Sequence, residues 1–102
     1  MFDILVLYSR PEDPSAFDEH YAGVHAPLVL AMPLLQEFTW GKIAAEDAGA
    51  PYLFARMTYA SESDAERSLS GLEGQAAVAD VQTFAHAGVQ IFNCPRNVTW
   101  RP

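Results

Sequence analysis

A strand whose two faces are both apolar must be covered twice, and this chain has three segments of that kind. Phe2 to Ser9 places Phe2, Ile4, Val6 and Tyr8 on one face and Leu5 and Leu7 on the other. Tyr52 to Tyr59 sets Tyr52 and Phe54 against Leu53, Ala55 and Met57, and Val89 to Asn93 is equally two-sided. A fourth segment, Gln36 to Ala44, carries Phe38, Trp40 and Ile43. Between the strands lie two helical stretches. Ser15 with Asp18 three residues on predicts a capped start for the first, and Ser61 with Asp64 predicts the same for the second. Gly71 to Gly74 interrupts the second helix, which resumes over Gln75 to Ala85. The order is β-α-β-β-α-β, an α+β class with the ferredoxin-like, split-βαβ sandwich topology of a four-stranded antiparallel sheet.

Two helices cover one face of such a sheet. With 102 residues the chain is expected to form a single domain over 1–102, too short to cover the other face as well. A second copy is the simplest cover, so the pattern predicts a homodimer whose sheets face each other as a barrel. The alternative is a shallow patch open to a ligand.

Lys+Arg 6 against Asp+Glu 13 leaves a formal charge of -7, and the basic residues form no run. That predicts no nucleic-acid partner and no anionic membrane surface, since both need clustered cations. Ile4 to Tyr8 is too short to span a bilayer, and the chain is expected to be cytoplasmic. Cys94, the single cysteine, neither staples the fold nor builds a cysteine zinc site.

In the first helix Phe17, Tyr21, Val24 and Leu28 fall within about 60° of one another, predicting a buried stripe. Pro27 opposes a regular helix there, because its ring meets the carbonyl of Gly23. A kink, or a helix that ends and restarts, is expected between Gly23 and Pro27.

The chemistry rests on few side chains. His20 and His25 are five apart, about 140° on an α-helix, which disfavours a metal held by both. His25 sits at the stripe's edge four residues after Tyr21, inside the expected kink, where it reads as an acid/base beside a phenol. The other reading is an imidazole that caps the carbonyl freed by Pro27. His20 reads as a surface residue and His86 as a turn residue, Asp80 and Asp64 as solvated or capping. Trp40 is either a pocket wall or plain core and interface. No phosphate loop, dinucleotide fingerprint, zinc signature or Ser-His-Asp order is present, and no cofactor or metal is expected.

Val6-Leu7-Tyr8, Phe17-Asp18-Glu19-His20-Tyr21 and His25-Ala26-Pro27-Leu28-Val29 together resemble the EthD family. Its pattern is a first strand ending in tyrosine, a Phe-Asp pair, an aromatic doublet, then His-x-Pro-Leu. Ser61 opening a helix, Ala79-Asp80-Val81-Gln82-Thr83-Phe84 and Gly88-Val89 are similar to the family's second half. Two departures are His20, where the family usually has an aromatic residue, and Tyr59-Ala60, where it often has Phe-Asp.

The resemblance implies a dimeric α+β barrel. It also implies a function known mainly by association: the family is named for a small protein required alongside a cytochrome in ether degradation. Members are often labelled reductases without a known cofactor. Related barrels include isomerases, cyclases, decarboxylases and cofactor-free monooxygenases, and fold alone does not choose among them.

Two functions compete on these residues. The first is a small cofactor-independent enzyme, oxidoreductase or isomerase/lyase in type. Its substrate would be a small apolar carbonyl-bearing or aromatic/alicyclic catabolic intermediate, held between helix one and the sheet. His25 and Tyr21 would be its catalytic pair, and Trp40, Tyr8, Leu28 and Phe54 its substrate contacts. The second is a non-catalytic ligand-binding accessory protein with the same pocket, serving a degradation or biosynthetic pathway.

Overall fold

The computed structural model describes residues 1–97 and 102. Four strands form one antiparallel sheet: β1 (Phe2–Tyr8), β2 (Glu37–Lys42), β3 (Leu53–Tyr59) and β4 (Val89–Pro95), in spatial order β2-β3-β1-β4. The apolar β1 lies in the middle, paired with β3 on one side and β4 on the other. Two helical arms cross one face. The first comprises α1 (Pro14–His20), a π-helical turn (Tyr21–His25) and α2 (Ala26–Leu30). The second comprises α3 (Glu62–Ser70) and α4 (Leu72–Phe84). This is the α+β, ferredoxin-like architecture that the element order predicts.

Alternation decides which side chains meet the helices. Phe2, Ile4, Val6 and Tyr8 of β1 are buried beneath them, together with Leu53, Ala55, Met57 and Tyr59 of β3. Leu5 and Leu7 point the other way and are only half-buried. The molecule measures 36 × 35 × 19 Å, and the short axis is the thickness of one helix layer on one sheet layer. Among the described residues the second sheet face is therefore bare in a single copy.

The helix ends follow local chemistry. Ser61 accepts a bond from the Asp64 N–H at 3.1 Å, as the sequence predicts. The first cap differs: Asp13, not Ser15, accepts from the Ala16 N–H at 3.2 Å. Pro14 then occupies the first turn, where its missing N–H costs nothing, and this moves the start forward.

The expected break near Pro27 is a π turn. The Ala26 N–H bonds to the Tyr21 carbonyl five residues back, so one extra residue fits in the winding. That extra residue shifts the phase of everything after it. The buried stripe runs Phe17, Tyr21, His25, Ala26 and Val29, while Val24, expected inside, is 45% exposed.

Candidate functional site

The side chains with chemistry converge where the π turn crosses α4. On α4, Ala77 and Phe84 are buried, seven residues apart, and Asp80 lies on the same stripe between them. Asp80 thus faces the first helical arm. Its Oδ2 meets His25 Nδ1 at 2.9 Å, and its Oδ1 meets His20 Nε2 at 2.9 Å. Thr83, one turn on, adds a hydroxyl bond to Oδ1 at 3.1 Å.

The π turn makes this convergence possible. On an α-helix residues 20 and 25 diverge; with i→i+5 winding, residues five apart stand one above the other. Both imidazoles therefore reach one carboxylate. The capping reading of His25 is not what the structure shows, because its ring bonds to Asp80. His20 is not a plain surface residue, nor is Asp80 a solvated one: the carboxylate is the centre of the cluster. Asp80 is the functional residue that sequence reasoning missed. Its place on the Ala77–Phe84 stripe was the available signal, since a carboxylate on a buried stripe needs a partner.

The electrostatics follow from burial and pairing. His25 is 4% exposed. Burial pushes its imidazole below the ordinary 6.5, and the Asp80 carboxylate holds back part of that fall. Burial works to raise Asp80, but hydrogen bonds from His20, His25 and Thr83 outweigh it and keep the carboxyl below its ordinary value. Asp80 is therefore ionised at neutral pH and His25 neutral. An ionised carboxylate only accepts, so Nδ1 carries the proton and Nε2 of His25 is the basic nitrogen.

Tyr21 lies tilted against His25, with ring centroids 5.3 Å apart. Its hydroxyl is buried, and its geometry satisfies no hydrogen bond among the described residues. Tyr8 meets Tyr21 edge-on at 5.6 Å. Burial raises both phenols far above their ordinary value, and Tyr8 works further against ionisation of Tyr21, so both stay protonated donors. Trp40 of β2 packs edge-on against Tyr21 at 4.9 Å and is 42% exposed, a half-open wall on the sheet side. Tyr8, Tyr21, His25 and Trp40 are thus brought together. Leu28 is half-buried against the core. Phe54 is not brought to the site: it lies between buried Leu53 and Ala55, on the opposite sheet face.

A cleft of about 540 Å³ opens on the outer side of this cluster. Phe17 and Phe84 are its walls, His20 its inner edge, and the Pro11–Asp13 loop its rim. It lies between α1 and the end of α4, not between the first helix and the sheet. His86, in the turn after α4, is exposed and also lines it.

The pattern of the EthD domain matches residues 9–88. An uncharacterised 11.0 kDa protein of Rhodococcus erythropolis, from a thcB-thcC intergenic region, is 40% identical over 91 residues, which are 87% of this chain and 88% of that one. The crystal structure of an EthD family protein from Bacillus halodurans superposes with a TM-score of 0.89 at 30% identity, covering 95% of this chain and 99% of that one. At the level of fold alone, a hydroxynitrile lyase of Passiflora edulis is similar, with a TM-score of 0.77 at 12% identity over 98% of this chain and 97% of that one.

Proposed function

The chain belongs to the EthD family, and from that premise we propose that it is a small cofactor-independent enzyme with His25 as its acid/base. The observation that carries this reading is the His25 Nδ1–Asp80 bond of 2.9 Å at a buried site. A carboxylate behind an imidazole fixes its tautomer, turns its far nitrogen into the base, and stabilises the imidazolium once a proton arrives. Tyr21 supplies a protonated phenol beside that ring, suited to hold a substrate oxygen as charge develops on it. Trp40 and Tyr8 give the site apolar walls. The chemistry that fits is proton transfer next to a carbonyl or hydroxyl of a small apolar molecule, of isomerase or lyase type. The Passiflora protein, a hydroxynitrile lyase by name, shares the fold, and a lyase-type reading is consistent with that likeness.

The reading includes a homodimer. Leu5 pairs with Phe92 across β1 and β4, and Leu7 with Phe54 across β1 and β3, all on the bare sheet face. Phe92 is 47% exposed. A second copy would bury this patch.

The test is turnover on a panel of small carbonyl and hydroxyl compounds. His25→Ala should lower kcat/KM by roughly 10²–10⁴-fold, the range of one positioned acid/base. A variant with full turnover would remove His25 from the chemistry. Ligand retention with no turnover by the unaltered protein would favour the accessory binder.

A further inference from the structure

The His25 site accounts for one arm of Asp80 and leaves the other unexplained. His20 Nε2 sits on both carboxylate oxygens, at 2.9 and 3.0 Å. Its side chain stays 29% exposed and forms the inner edge of the cleft. Since Asp80 is ionised, Nε2 carries the proton in neutral His20. Nδ1 is then the ring's other nitrogen, a lone-pair acceptor that Asp80 does not engage.

The walls beside it are aromatic. Phe17 and Phe84 meet edge-to-face at 5.2 Å, and Phe84 lies 4.9 Å from the His20 ring. At about 540 Å³ the cleft has the size of a small-molecule site. Its charge is one-sided. Glu12 and Asp13 lie on the rim and Asp80 stands behind His20, while no Lys or Arg lines the cleft among the described residues. With the chain at -7 overall, an anion meets repulsion both locally and at long range.

We propose that this cleft is a second ligand-binding site beside the His25 centre, that it takes a neutral aromatic or alicyclic molecule bearing a hydroxyl, and that His20 accepts the hydrogen bond of that hydroxyl. The inference rests on the Asp80 centre of the proposed function and adds the chemical class of the ligand. It concerns binding; the proton transfer stays with His25. Phe84 stands between the two, 4.9 Å from the His25 ring as well, so a ligand in the cleft is one aromatic side chain from the acid/base.

The test uses three probes of one ring size, phenol, toluene and benzoate, titrated at pH 8 into the full chain and into His20→Phe. The phenylalanine keeps the ring and its packing on Phe84 and removes the acceptor. Histidine ring and backbone signals in NMR spectra report where each probe sits. Phenol should shift His20, His86 and Thr83 saturably, and benzoate should not. His20→Phe should weaken phenol about three- to tenfold, the effect of one hydrogen bond, and leave toluene unchanged. Equal binding of benzoate, phenol affinity untouched by His20→Phe, or no saturable shift with phenol would each overturn the proposal. Phenol shifts confined to Trp40 and His25 would overturn it too, while leaving the His25 reading intact. Full turnover by His25→Ala would sink that reading and leave the cleft assignment standing.

Discussion

At the scale of residues, the site is a set of choices that packing alone does not explain. A buried tyrosine hydroxyl without a partner costs about 1–3 kcal/mol. Tyr21 carries a hydroxyl at 1% exposure that lies by the Tyr8 phenol but makes no hydrogen bond of good geometry among the described residues. Tyr21→Phe is therefore expected to match or raise the urea midpoint while lowering turnover or ligand affinity, the signature of a group kept for function. A stability loss above about 1 kcal/mol would instead make the hydroxyl structural. His25 was legible in the sequence because it follows Tyr21 by four and sits near Pro27. Asp80 was not. Reading it as solvated treated α4 alone, and only the packing of α4 on the first arm shows that two imidazoles wait opposite it. Phe54 failed for a simpler reason: a two-sided apolar strand does not say which face meets the helices.

At the scale of elements, the π turn links backbone and chemistry. Proline at 27 announced a disturbance, but its form depends on hydrogen-bond partners that sequence spacing does not reveal. The inserted residue turned Val24 outward and set His25 in line with His20, so that both imidazoles reach Asp80. Two glycines test the packing of the arms. Gly23 lies in the π turn, where a Cβ would meet nothing within 4 Å among the described residues. Gly23→Ala should stabilise the fold by about 0.5–1 kcal/mol, read as a higher denaturation midpoint, because alanine gives up less backbone freedom. Gly74 is the opposite case. A Cβ there would stand 2.2 Å from the Ser68 carbonyl oxygen, where α4 folds back on α3. Gly74→Ala should cost about 1–3 kcal/mol or more by overpacking. A gain at Gly74, or a loss at Gly23, would contradict the geometry.

At the scale of the whole molecule, two properties follow. The bare face of Leu5, Leu7, Phe54 and Phe92 predicts a dimer by light scattering at micromolar concentration, and Phe92→Asp should shift it toward monomer. A monomeric unaltered chain would refute the barrel. The order of elements made the sheet and its bare face legible, since strand periodicity is a local signal. The relative placement of the two arms, which builds the cleft and the Asp80 cluster, is a tertiary outcome. The second property is pH dependence. His25 is depressed below 6.5 in the fold, so between that lower value and 6.5 the unfolded chain binds the extra proton. This contribution is full above 6.5 and is lost as pH falls through the window. The denaturation midpoint should thus drop from pH 7.5 to 5.5, and less steeply in His25→Ala. A rise on acidification would reverse the sign and the account with it.

The most direct measurement is the NMR titration of His25 in the unaltered protein and in Asp80→Asn. The account predicts a pKa below 6.5, a neutral ring protonated at Nδ1, and a further fall once the carboxylate charge is gone. A pKa at or above 6.5, a proton on Nε2, or no response to Asp80→Asn would contradict the claim that Asp80 holds His25 as a poised base.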